Sequence, residues 1–477
     1  MNKAVNNLVF EDVEIIDIAE EGKGVGRAGD LVLFVDKAVP GDVADVQVYR
    51  KKKNFGEGKI ARLKKPSVYR SGAFCGHFGT CGGCKWQHMS YEAQLRFKQK
   101  TVEGALAHIA KIDVSGILPI IPSPNDKYYR NKLEFTFSNK RWLNDGENRT
   151  TETPDMDALG FHIPGRFDKI LDIEHCYLQA DPSNAIRNGV HEYAKQQCIS
   201  FYDLKRHAGA LRNLVIRTSS TGELMVIMVF AYATKHEIRG LMEFTGKTFP
   251  QITSLLYIVN QKRNDTIFDQ EVVAWRGPEY IYEEMVDGNG KTIRYRIGPK
   301  SFYQTNSVQA VKLYEIARDS AGFKGDERVY DLYTGAGTIA NFIAGQVKEV
   351  IGVEYVPSAI EDAKVNSAIN KISNTKFHAG DMKDVLNPEF VAEHGKPDVI
   401  ITDPPRAGMH ADVVDRLVEI GAPKIVYVSC NPATQARDLL VLKERYDVLK
   451  IQPVDMFPHT QHVENVVLLQ IRDQLTD

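Results

Sequence analysis

The sequence predicts a three-part α/β protein with an OB-like β-barrel, an α+β central domain and a C-terminal Rossmann-like, doubly wound sheet. The chain has 477 residues, too many for one small hydrophobic core. Short β-rich segments separated by glycines fill its first part. After about residue 291, predicted strands alternate with helical stretches, as in a parallel sheet with crossover helices. The predicted boundaries are 1–66, 67–290 and 291–477.

The composition is typical of a soluble globular protein, with 43% hydrophobic and 26% charged residues. No run of about 18 apolar residues occurs, so we expect no membrane-spanning helix. The N-terminus lacks the apolar core of a secretory signal, and six cysteines are too few for a disulfide scaffold. We therefore expect a protein of the reducing cytoplasm, and we expect it to be a monomer. The net charge of −2 indicates no particular partner.

Four short strands are predicted in the first domain. They are Val13–Ile18, Leu31–Val35, Val43–Tyr49 and Gly58–Leu63. The glycines between residues 22 and 29 are interpreted as turns. Closely spaced strands of this kind are typical of a small OB-like barrel, a common platform for single-stranded RNA.

A basic run covers residues 50–70, with nine Lys or Arg residues against the single acid Glu57. A cluster of this kind is the electrostatic signature of binding to a phosphate backbone. The alternative is a solvated basic face. Because the run follows a predicted RNA-binding barrel, we favour RNA as the partner.

Three cysteines lie within ten residues in the segment Cys75-x5-Cys81-Gly82-Gly83-Cys84. A glycine-rich loop can turn tightly enough for three thiolates to converge on one metal centre. The best candidate for a fourth ligand is Cys176, with Cys198 second and His77 or His88 behind. Zinc is the generic interpretation of four such ligands, and the spacing alone does not decide between zinc and an iron–sulfur cluster.

The central region mixes helices and strands and carries no second catalytic signature. A helix is predicted over Tyr91–Ala110, and a strand pair over Leu214–Thr218 and Leu224–Tyr232. The polar segment 140–157 is predicted to be a surface loop. The aromatic and basic residues at 128–132 face RNA in one interpretation and form the entry to a half-buried strand in the other.

The third part begins with a strand, a glycine loop and a helix, around Asp331-x3-Gly335-Ala336-Gly337. The next strand ends at Glu354, where an acid can accept hydrogen bonds from ribose hydroxyls. The loop lacks the third glycine of the dinucleotide fingerprint, which argues against a dehydrogenase. S-adenosylmethionine has no phosphate and suits this looser loop. Two further acids, Asp381 and Asp403, follow the next two predicted strands.

The strand Val426–Val428 leads into Ser429-Cys430-Asn431-Pro432, and the Asn-Pro pair ends it. A cysteine at the carboxyl end of a strand in an α/β sheet lies where such folds bind their ligands. The alternative is a small, buried structural cysteine. The upstream cofactor loop and a carboxylate downstream, at Glu464, favour a nucleophile.

Four motifs, taken together, resemble the RNA 5-methyluridine methyltransferase family. They are Asp331-Leu332-Tyr333-x-Gly335-x-Gly337-Thr338, Asp403-Pro404-Pro405-Arg406-x-Gly408, Ser429-Cys430-Asn431-Pro432-x-Thr434 and Val454-Asp455-Met456-Phe457-Pro458-x-Thr460-x-His462-x-Glu464. The glycine-rich start, with Val39-Pro40-Gly41-Asp42, resembles the TRAM domain found on RNA-modifying enzymes. The barrel and the cysteine loop are similar to the 23S rRNA branch of the family (the RumA type) rather than to its tRNA branch.

The resemblance implies methyl transfer from S-adenosylmethionine to carbon 5 of a uridine in RNA, with rRNA favoured over tRNA. It implies Cys430 as the nucleophile and Glu464 as the base. The implied cofactor-binding residues are Gln304, Tyr333, Glu354, Asp381 and Asp403, where Asp403 holds either the cofactor or the uracil edge. The implied metal site is a 4Fe–4S cluster on Cys75, Cys81, Cys84 and Cys176. One departure is Thr334, where the family commonly carries cysteine, so the packing near the cofactor is in question.

Two other functions are considered. An amino-methyltransferase could use Asp403-Pro404-Pro405 to activate an exocyclic nitrogen, but it needs no thiol at Cys430. An iron–sulfur RNA-binding protein without enzymatic activity has no use for the 331–354 cofactor loop. Both therefore explain less of the sequence than uracil-5 methylation.

Overall fold

The computed structural model describes residues 8–19, 21–144, 147 and 154–472. The start of the first predicted domain, the end of the last one, and part of the predicted loop at 140–157 lie outside these ranges. The chain forms two compact units. The N-terminal unit is Met1–Thr101 with Phe457–His462, and the larger unit is Val102–Met456 with Val463–Asp477. The division into three domains at 66 and 290 stays a prediction.

The N-terminal unit contains a closed barrel with the strand order β1-β2-β3-β5-β4. Its strands are β1 Leu8–Ile18, β2 Gly24–Ala28, β3 Leu31–Asp36, β4 Val43–Lys51 and β5 Phe55–Lys65. Alternating apolar residues point inward, because successive side chains of a strand face opposite sides. Among them are Val13, Leu33 and Val46, each at most 2% exposed. The barrel's assignment as an OB-like TRAM domain stays a prediction.

Strand β2 lies where the sequence predicted only turns. Gly22 and Gly29 do lie in turns, but the prediction was wrong for Gly24 and Gly26, which are strand residues. These two glycines are needed for close packing inside the barrel rather than for a reversal of the chain. A Cβ on Gly26 would lie 2.6 Å from Val13 Cγ1, and one on Gly24 would lie 2.8 Å from Ala38 Cβ. Only glycine fits at these positions.

The segment Phe457–His462 completes the N-terminal unit. The carbonyl of His459 accepts hydrogen bonds from the backbone N–H groups of Lys85 and Trp86, at 2.8 and 3.0 Å. The N–H of His459 donates to Gln94 Oε1 at 2.8 Å, and Lys98 Nζ donates to the carbonyl of Phe457 at 2.9 Å. A late stretch of the chain therefore satisfies polar groups of an early one.

The larger unit contains two seven-stranded sheets and a two-stranded hairpin. The first sheet has the order β12-β11-β10-β9-β6-β7-β8. Its strands are β6 Lys132–Ser138, β7 Ala158–Ile163, β8 Arg166–Asp172, β9 Leu211–Thr218, β10 Leu224–Phe230, β11 Ser254–Val259 and β12 Val272–Arg276, and the hairpin is β13 Ile281–Val286 with β14 Thr292–Ile297. Every residue of β10 is buried, so this strand lies in the centre of the sheet's core.

The C-terminal sheet has the order β17-β16-β15-β18-β19-β21-β20, which confirms the predicted doubly wound sheet. Its strands are β15 Arg328–Leu332, β16 Glu349–Glu354, β17 Thr375–Ala379, β18 Val399–Thr402, β19 Lys424–Ser429, β20 Tyr446–Val454 and β21 Glu464–Ile471. Strands β15 to β19 are parallel, so their carboxyl ends meet at one edge. Strand β21 is antiparallel to β19 and begins at that edge.

Ten α-helices accompany the strands in the described part of the chain. They are α1 Tyr91–Ala105, α2 Ser183–Gln196, α3 Lys235–Thr248, α4 Ser307–Ala321, α5 Thr338–Ile343, α6 Pro357–Ile369, α7 Met382–Val385, α8 Pro388–His394, α9 Ala411–Ile420 and α10 Pro432–Leu442. A π-helical turn, Leu106–Ala110, continues α1 over the rest of the predicted helix. No helix of the described residues is long and apolar enough to cross a membrane.

Candidate active site

The loop after β15 is built by three residues with a left-handed backbone. Tyr333, Gly335 and Gly337 have φ values of 63, 55 and 72°. A Cβ on Gly337 would lie 2.9 Å from Ala363 Cβ, so glycine is needed there on two grounds. The loop therefore turns sharply at the carboxyl edge of the sheet, as the sequence predicted for a cofactor loop.

Glu354, the last residue of β16, is held against this loop by its carboxylate. One oxygen accepts a hydrogen bond from Gly335 N at 3.2 Å, and the other accepts from Val356 N at 2.9 Å. Each oxygen retains a lone pair for a further donor. The half-buried Glu354 is thus oriented at the carboxyl edge of the sheet, with capacity to accept a further hydrogen bond.

Asp331, the next-to-last residue of β15, holds the same loop in place through hydrogen bonds. The sequence analysis did not assign this role to it. Its buried carboxyl accepts hydrogen bonds from the Thr334 hydroxyl and from Ala340 N. Burial raises the pKa of Asp331 to about 7. The Thr334 backbone N–H also donates to the carbonyl of Val353 at 3.1 Å. The departure at position 334 is therefore accommodated, because its hydroxyl is bonded within the loop.

The loop suits a ligand that carries hydroxyl groups rather than phosphates. The N–H groups of Gly335 and Ala340, which a pyrophosphate would need, already donate to Glu354 and Asp331. A Cβ on Gly335 would meet no atom within 4 Å, so the loop backbone borders open space. The chemistry of these residues fits S-adenosylmethionine.

The two other predicted cofactor residues of this region also lie at or near the edge. Asp381 comes just after β17 and caps α7, where its side chain accepts from Lys383 N at 3.2 Å. Gln304 is 9% exposed and precedes α4, and its carbonyl accepts from Asn131 Nδ2 at 2.9 Å. The cofactor-binding role of both residues stays a prediction.

Cys430 directly follows β19, in a turn tied to the segment that begins at Asp403. Asn431 caps α10 by accepting from Ala433 N at 3.1 Å, and its Nδ2 donates to the carbonyl of Arg406 at 3.2 Å. The Thr434 hydroxyl donates to the same carbonyl at 3.2 Å. The motif residues around Cys430 therefore hold the two loops together.

Strand register brings Glu464 beside Cys430. In the antiparallel pair of β19 and β21, Ser429 is the partner of Asn465. The next pair beyond the end of β19 is therefore Cys430 and Glu464. Asp403 follows β18, the neighbour of β19 on its other side. The three side chains predicted from separate motifs thus meet at one edge.

The charges at this edge influence one another. Burial, together with the Glu464 and Asp403 carboxyls, raises the pKa of the Cys430 thiol to about 11. Burial and Asp403 raise the pKa of Glu464 to about 8. Asp403 is partly exposed as a residue. Burial of its carboxyl group, and secondly the charge of Asp331, raise its pKa to about 7. Without ligands, the thiol and the Glu464 carboxyl are thus mainly protonated at neutral pH.

Arg406 is a functional candidate that the sequence analysis did not single out. Its positive charge opposes the rise in the pKa of Cys430. A cation of this kind favours the thiolate, the form that acts as a nucleophile. The available signal was its position in Asp403-Pro404-Pro405-Arg406, a segment that the predicted topology brings to the same edge.

The predicted metal ligands are distributed over the two units of the chain. Cys75, Cys81 and Cys84 lie half-buried in the N-terminal unit, and Gly83 N donates to Cys81 Sγ at 3.3 Å. Cys176 lies in the larger unit, where it is buried and its N–H donates to Asn184 Oδ1 at 2.7 Å. Among residues 8–19, 21–144, 147 and 154–472, no three His, Cys, Asp or Glu side chains are grouped to hold a metal ion. The structure therefore does not support the cluster.

Comparisons with known proteins relate the chain to RNA methyltransferases. Residues 269–472 match the family model described as tRNA (uracil-5-)-methyltransferase. An uncharacterized RNA methyltransferase of Bacteroides thetaiotaomicron is 56% identical over 95% of this chain and 100% of its own. One of Chlorobaculum tepidum is 38% identical over 96% of each chain.

A solved structure is similar over nearly the whole chain. It is the tRNA (uracil-54, C5)-methyltransferase of Pyrococcus abyssi in complex with S-adenosyl-L-homocysteine. The TM-score is 0.73 and the sequence identity 29%, covering 96% of this chain and 99% of that one. The similarity therefore extends far beyond the C-terminal sheet.

Proposed function

The chain belongs to the RNA (uracil-5-)methyltransferase family, and from this we propose that it transfers a methyl group from S-adenosylmethionine to carbon 5 of a uridine in RNA. The observation that carries the proposal is the pairing of Cys430 with Glu464 beside the cofactor loop. A thiol and a carboxyl at one sheet edge suit a reaction that needs a nucleophile and then a base.

The proposed chemistry explains both residue types. Carbon 5 of uracil is too weak a nucleophile to accept a methyl group unaided. Cys430 and Glu464 first lose their protons to solvent. The Cys430 thiolate then adds to carbon 6, and the electron pair of the 5,6 double bond becomes an enolate that is reactive at carbon 5. S-adenosylmethionine supplies the electrophilic methyl group. Glu464 then removes the proton from carbon 5, the double bond re-forms, and the thiolate leaves carbon 6.

The remaining site residues are proposed to bind and orient. Glu354 accepts hydrogen bonds from the ribose of the cofactor, and Tyr333, Asp381 and Gln304 line the same site. Asp403 holds the uracil edge or the cofactor. Because Cys430 must reach carbon 6, the target uridine is flipped out of its helix or already unpaired.

The RNA target is proposed to be 23S rRNA, with tRNA as the second candidate. The rRNA proposal rests on the motif resemblance and on the N-terminal barrel. One observation favours tRNA: the Pyrococcus abyssi protein acts on tRNA, and its likeness covers 96% of this chain. The barrel alone therefore does not separate the two substrates. Mapping 5-methyluridine in the rRNA and tRNA of a strain lacking the protein would identify the target.

Binding of a 4Fe–4S cluster is kept as a proposal that rests on the sequence. Its support is the spacing of Cys75, Cys81 and Cys84 on one loop. Cys176 is the proposed fourth ligand, and zinc is the alternative metal. No catalytic step depends on this metal.

The test uses RNA that contains 5-fluorouridine. Fluorine at carbon 5 cannot leave as a proton, so addition and methyl transfer should end in a covalent protein–RNA adduct. We expect this adduct with the wild-type protein and with Cys198→Ala, a control at an exposed free cysteine. Cys430→Ala should form none and should lose methylation while binding S-adenosylmethionine normally. Turnover near the wild-type rate in Cys430→Ala would contradict the covalent mechanism.

A further inference from the structure

We propose that Gln435 and Asn465 form a buried amide pair that sets the relative position of the nucleophile Cys430 and the base Glu464. The inference rests on the proposed function and deepens it. Neither amide touches the reacting atoms, so both are positioning residues. Gln435 lies in α10, four residues after the turn begins at Asn431, and Asn465 immediately follows Glu464 in β21.

The contacts of Gln435 bridge the two strands that carry the reactive pair. Its Nε2 donates to the carbonyl of Tyr427 in β19 at 3.0 Å and to the carbonyl of Asn465 in β21 at 3.2 Å. Its Oε1 accepts from Asn465 Nδ2 at 2.8 Å. Both amides are fully buried. The pair therefore joins β19, β21 and α10 within three residues of both Cys430 and Glu464.

The amide pair lies on the face of the sheet that packs against α10, opposite to the face of the Glu464 side chain. Side chains alternate along a strand, so Tyr427 and Ser429 of β19 point to one face. Cys430 lies just beyond the end of the strand, at the position that faces Glu464 when the register is continued. The Tyr427 hydroxyl donates to Asp438 in α10 at 2.7 Å, which identifies the first face as the α10 side. Asn465 faces the same helix through Gln435, so Glu464 points away from it. The amide pair can fix the strands without entering the site.

The free-energy cost of burying an unpaired polar atom in this pair indicates a role other than stabilising the fold. Gln435 Nε2 has two carbonyl acceptors, so Oε1 must face Asn465 Nδ2, and the orientation of both amides is determined. Asn465 Oδ1 is then left buried without a hydrogen-bond partner among the described residues. An unpaired buried acceptor is unfavourable, and apolar residues of similar shape avoid that cost. The pair thus has a role that apolar residues would not fill: it fixes the position of Cys430 relative to Glu464.

The experiment compares Gln435→Met with Gln179→Met. Gln179 is a matched control, because it is also fully buried, its Nε2 donates to the carbonyl of Ile216 at 3.1 Å, and its Oε1 accepts from the Ser183 hydroxyl. It lies outside the proposed site. Asn465→Leu breaks the pair from the other strand and serves as a second variant if one of them fails to fold.

Single-turnover methyl transfer and adduct formation with 5-fluorouridine RNA are measured at saturating RNA and S-adenosylmethionine, well below each melting temperature. Gln435→Met and Asn465→Leu should both slow these steps by about ten- to a hundredfold, the scale of a small misplacement of reacting groups. The dissociation constant for S-adenosylmethionine should stay within about twofold of wild type, and Gln179→Met should keep the wild-type rate.

Wild-type rates in folded Gln435→Met or Asn465→Leu, with only a lower melting temperature, would show that the pair is merely structural and would overturn the inference. An equal loss of rate in Gln179→Met would overturn it as well. The loss would then follow from the removal of any buried glutamine amide and not from the position of Gln435. Failure of the wild-type protein itself to form an adduct or to methylate RNA would overturn the proposed function and the inference with it. The wild-type result thus separates the two failures.

Discussion

At the scale of the residue, Glu464 connects the chemistry with the stability of the fold. Its side chain is only 4% exposed, and burial together with Asp403 raises its pKa from the usual 4.5 to about 8. Between these two pH values, the folded protein retains a proton that the unfolded chain has lost. Raising the pH through this range therefore destabilises the folded state.

Glu464→Gln should remove this pH dependence, because glutamine does not ionise. We expect the variant to gain stability relative to wild type as the pH rises from 5 to 8, by up to about 1.4 kcal/mol per pH unit. Chemical denaturation at several pH values measures the difference. Glu361→Gln, at a side chain that is 70% exposed, is the control and should show no such trend. A difference that stays constant across pH would contradict the raised pKa.

The same substitution should also change the fate of the substrate. The amide can still occupy the space of Glu464, but it cannot accept the proton from carbon 5. Addition and methyl transfer should proceed with natural RNA, and the methylated protein–RNA adduct should accumulate on denaturing gels. Normal turnover without an adduct would remove Glu464 from the proposed mechanism.

The proposed reactive residues could be named from the sequence because each lies in a local motif. Cys430 precedes an Asn-Pro turn, and Glu464 ends a motif of its own. Gln435 and Asn465 could not be found in this way, because their partnership depends on the register between β19 and β21. Thirty positions separate them, and an isolated polar residue in an apolar strand carries no signal of its partner.

At the scale of the element, the cofactor loop depends on the backbone of Gly337 at the start of α5. Its φ of 72° is unfavourable for other residues, and the space for a Cβ is closed by Ala363. The pattern Asp-x3-Gly-x-Gly predicted the loop, because glycine is the residue that permits such turns.

Gly337→Ala should distort this loop. We expect at least a tenfold loss of affinity for S-adenosylmethionine by calorimetry, together with a lower melting temperature, since strain of this kind costs about 1–3 kcal/mol. Gly104→Ala is a suitable control, because the residue is helical and a Cβ there meets no atom within 4 Å. The control should be neutral or slightly stabilising. Unchanged affinity in Gly337→Ala would show that the loop does not bind the cofactor.

The turn between β4 and β5 concentrates the unneutralised charge of the barrel. Arg50 pairs with Glu57 at 2.8 Å, and Lys64 pairs with Asp12 and Asp45. Lys51, Lys52 and Lys53 are exposed, and none pairs with a carboxylate in the part of the chain that the structure describes. Sequence counting identified a basic run but could not separate its paired charges from its free ones.

Replacing Lys51, Lys52 and Lys53 with Ala should therefore weaken RNA binding through the loss of phosphate contacts. The slope of log affinity against log salt should fall by about two to three units, while the single-turnover rate at saturating RNA stays near wild type. Lys64→Ala, whose charge is already paired, should change the slope least. An unchanged slope in the triple variant would identify the turn as a solvated face.

At the scale of the whole molecule, the C-terminal sheet was the most predictable part. Strand and helix periods alternate clearly after residue 291, and this pattern is local. The return of Phe457–His462 to the N-terminal unit had no such signal, because it is built from backbone hydrogen bonds to distant residues. The metal content of the cysteine loop likewise depends on geometry that spacing alone does not define.

The metal content of protein purified without oxygen should distinguish an iron–sulfur cluster from zinc. The proposed cluster predicts a brown protein with about four irons per chain. Cys81→Ser or Cys84→Ser should bleach it, and Cys176→Ser tests the fourth ligand. Cys198→Ser should keep both colour and iron. One zinc and no iron in the anaerobic protein would show that the iron–sulfur proposal is wrong.

The participation of Phe457–His462 in the N-terminal unit also has a consequence for biosynthesis. The Gln94 side chain accepts a hydrogen bond from His459, which is synthesised 365 residues later. Trp86 and Lys98 likewise depend on that segment. The N-terminal unit is therefore synthesised before the larger unit, but its contacts are complete only after residues 457–462 have been made. Until then, the nascent barrel must avoid aggregation. A fragment ending at Thr101 should accordingly be recovered in poor yield unless a peptide covering 457–462 is supplied in trans.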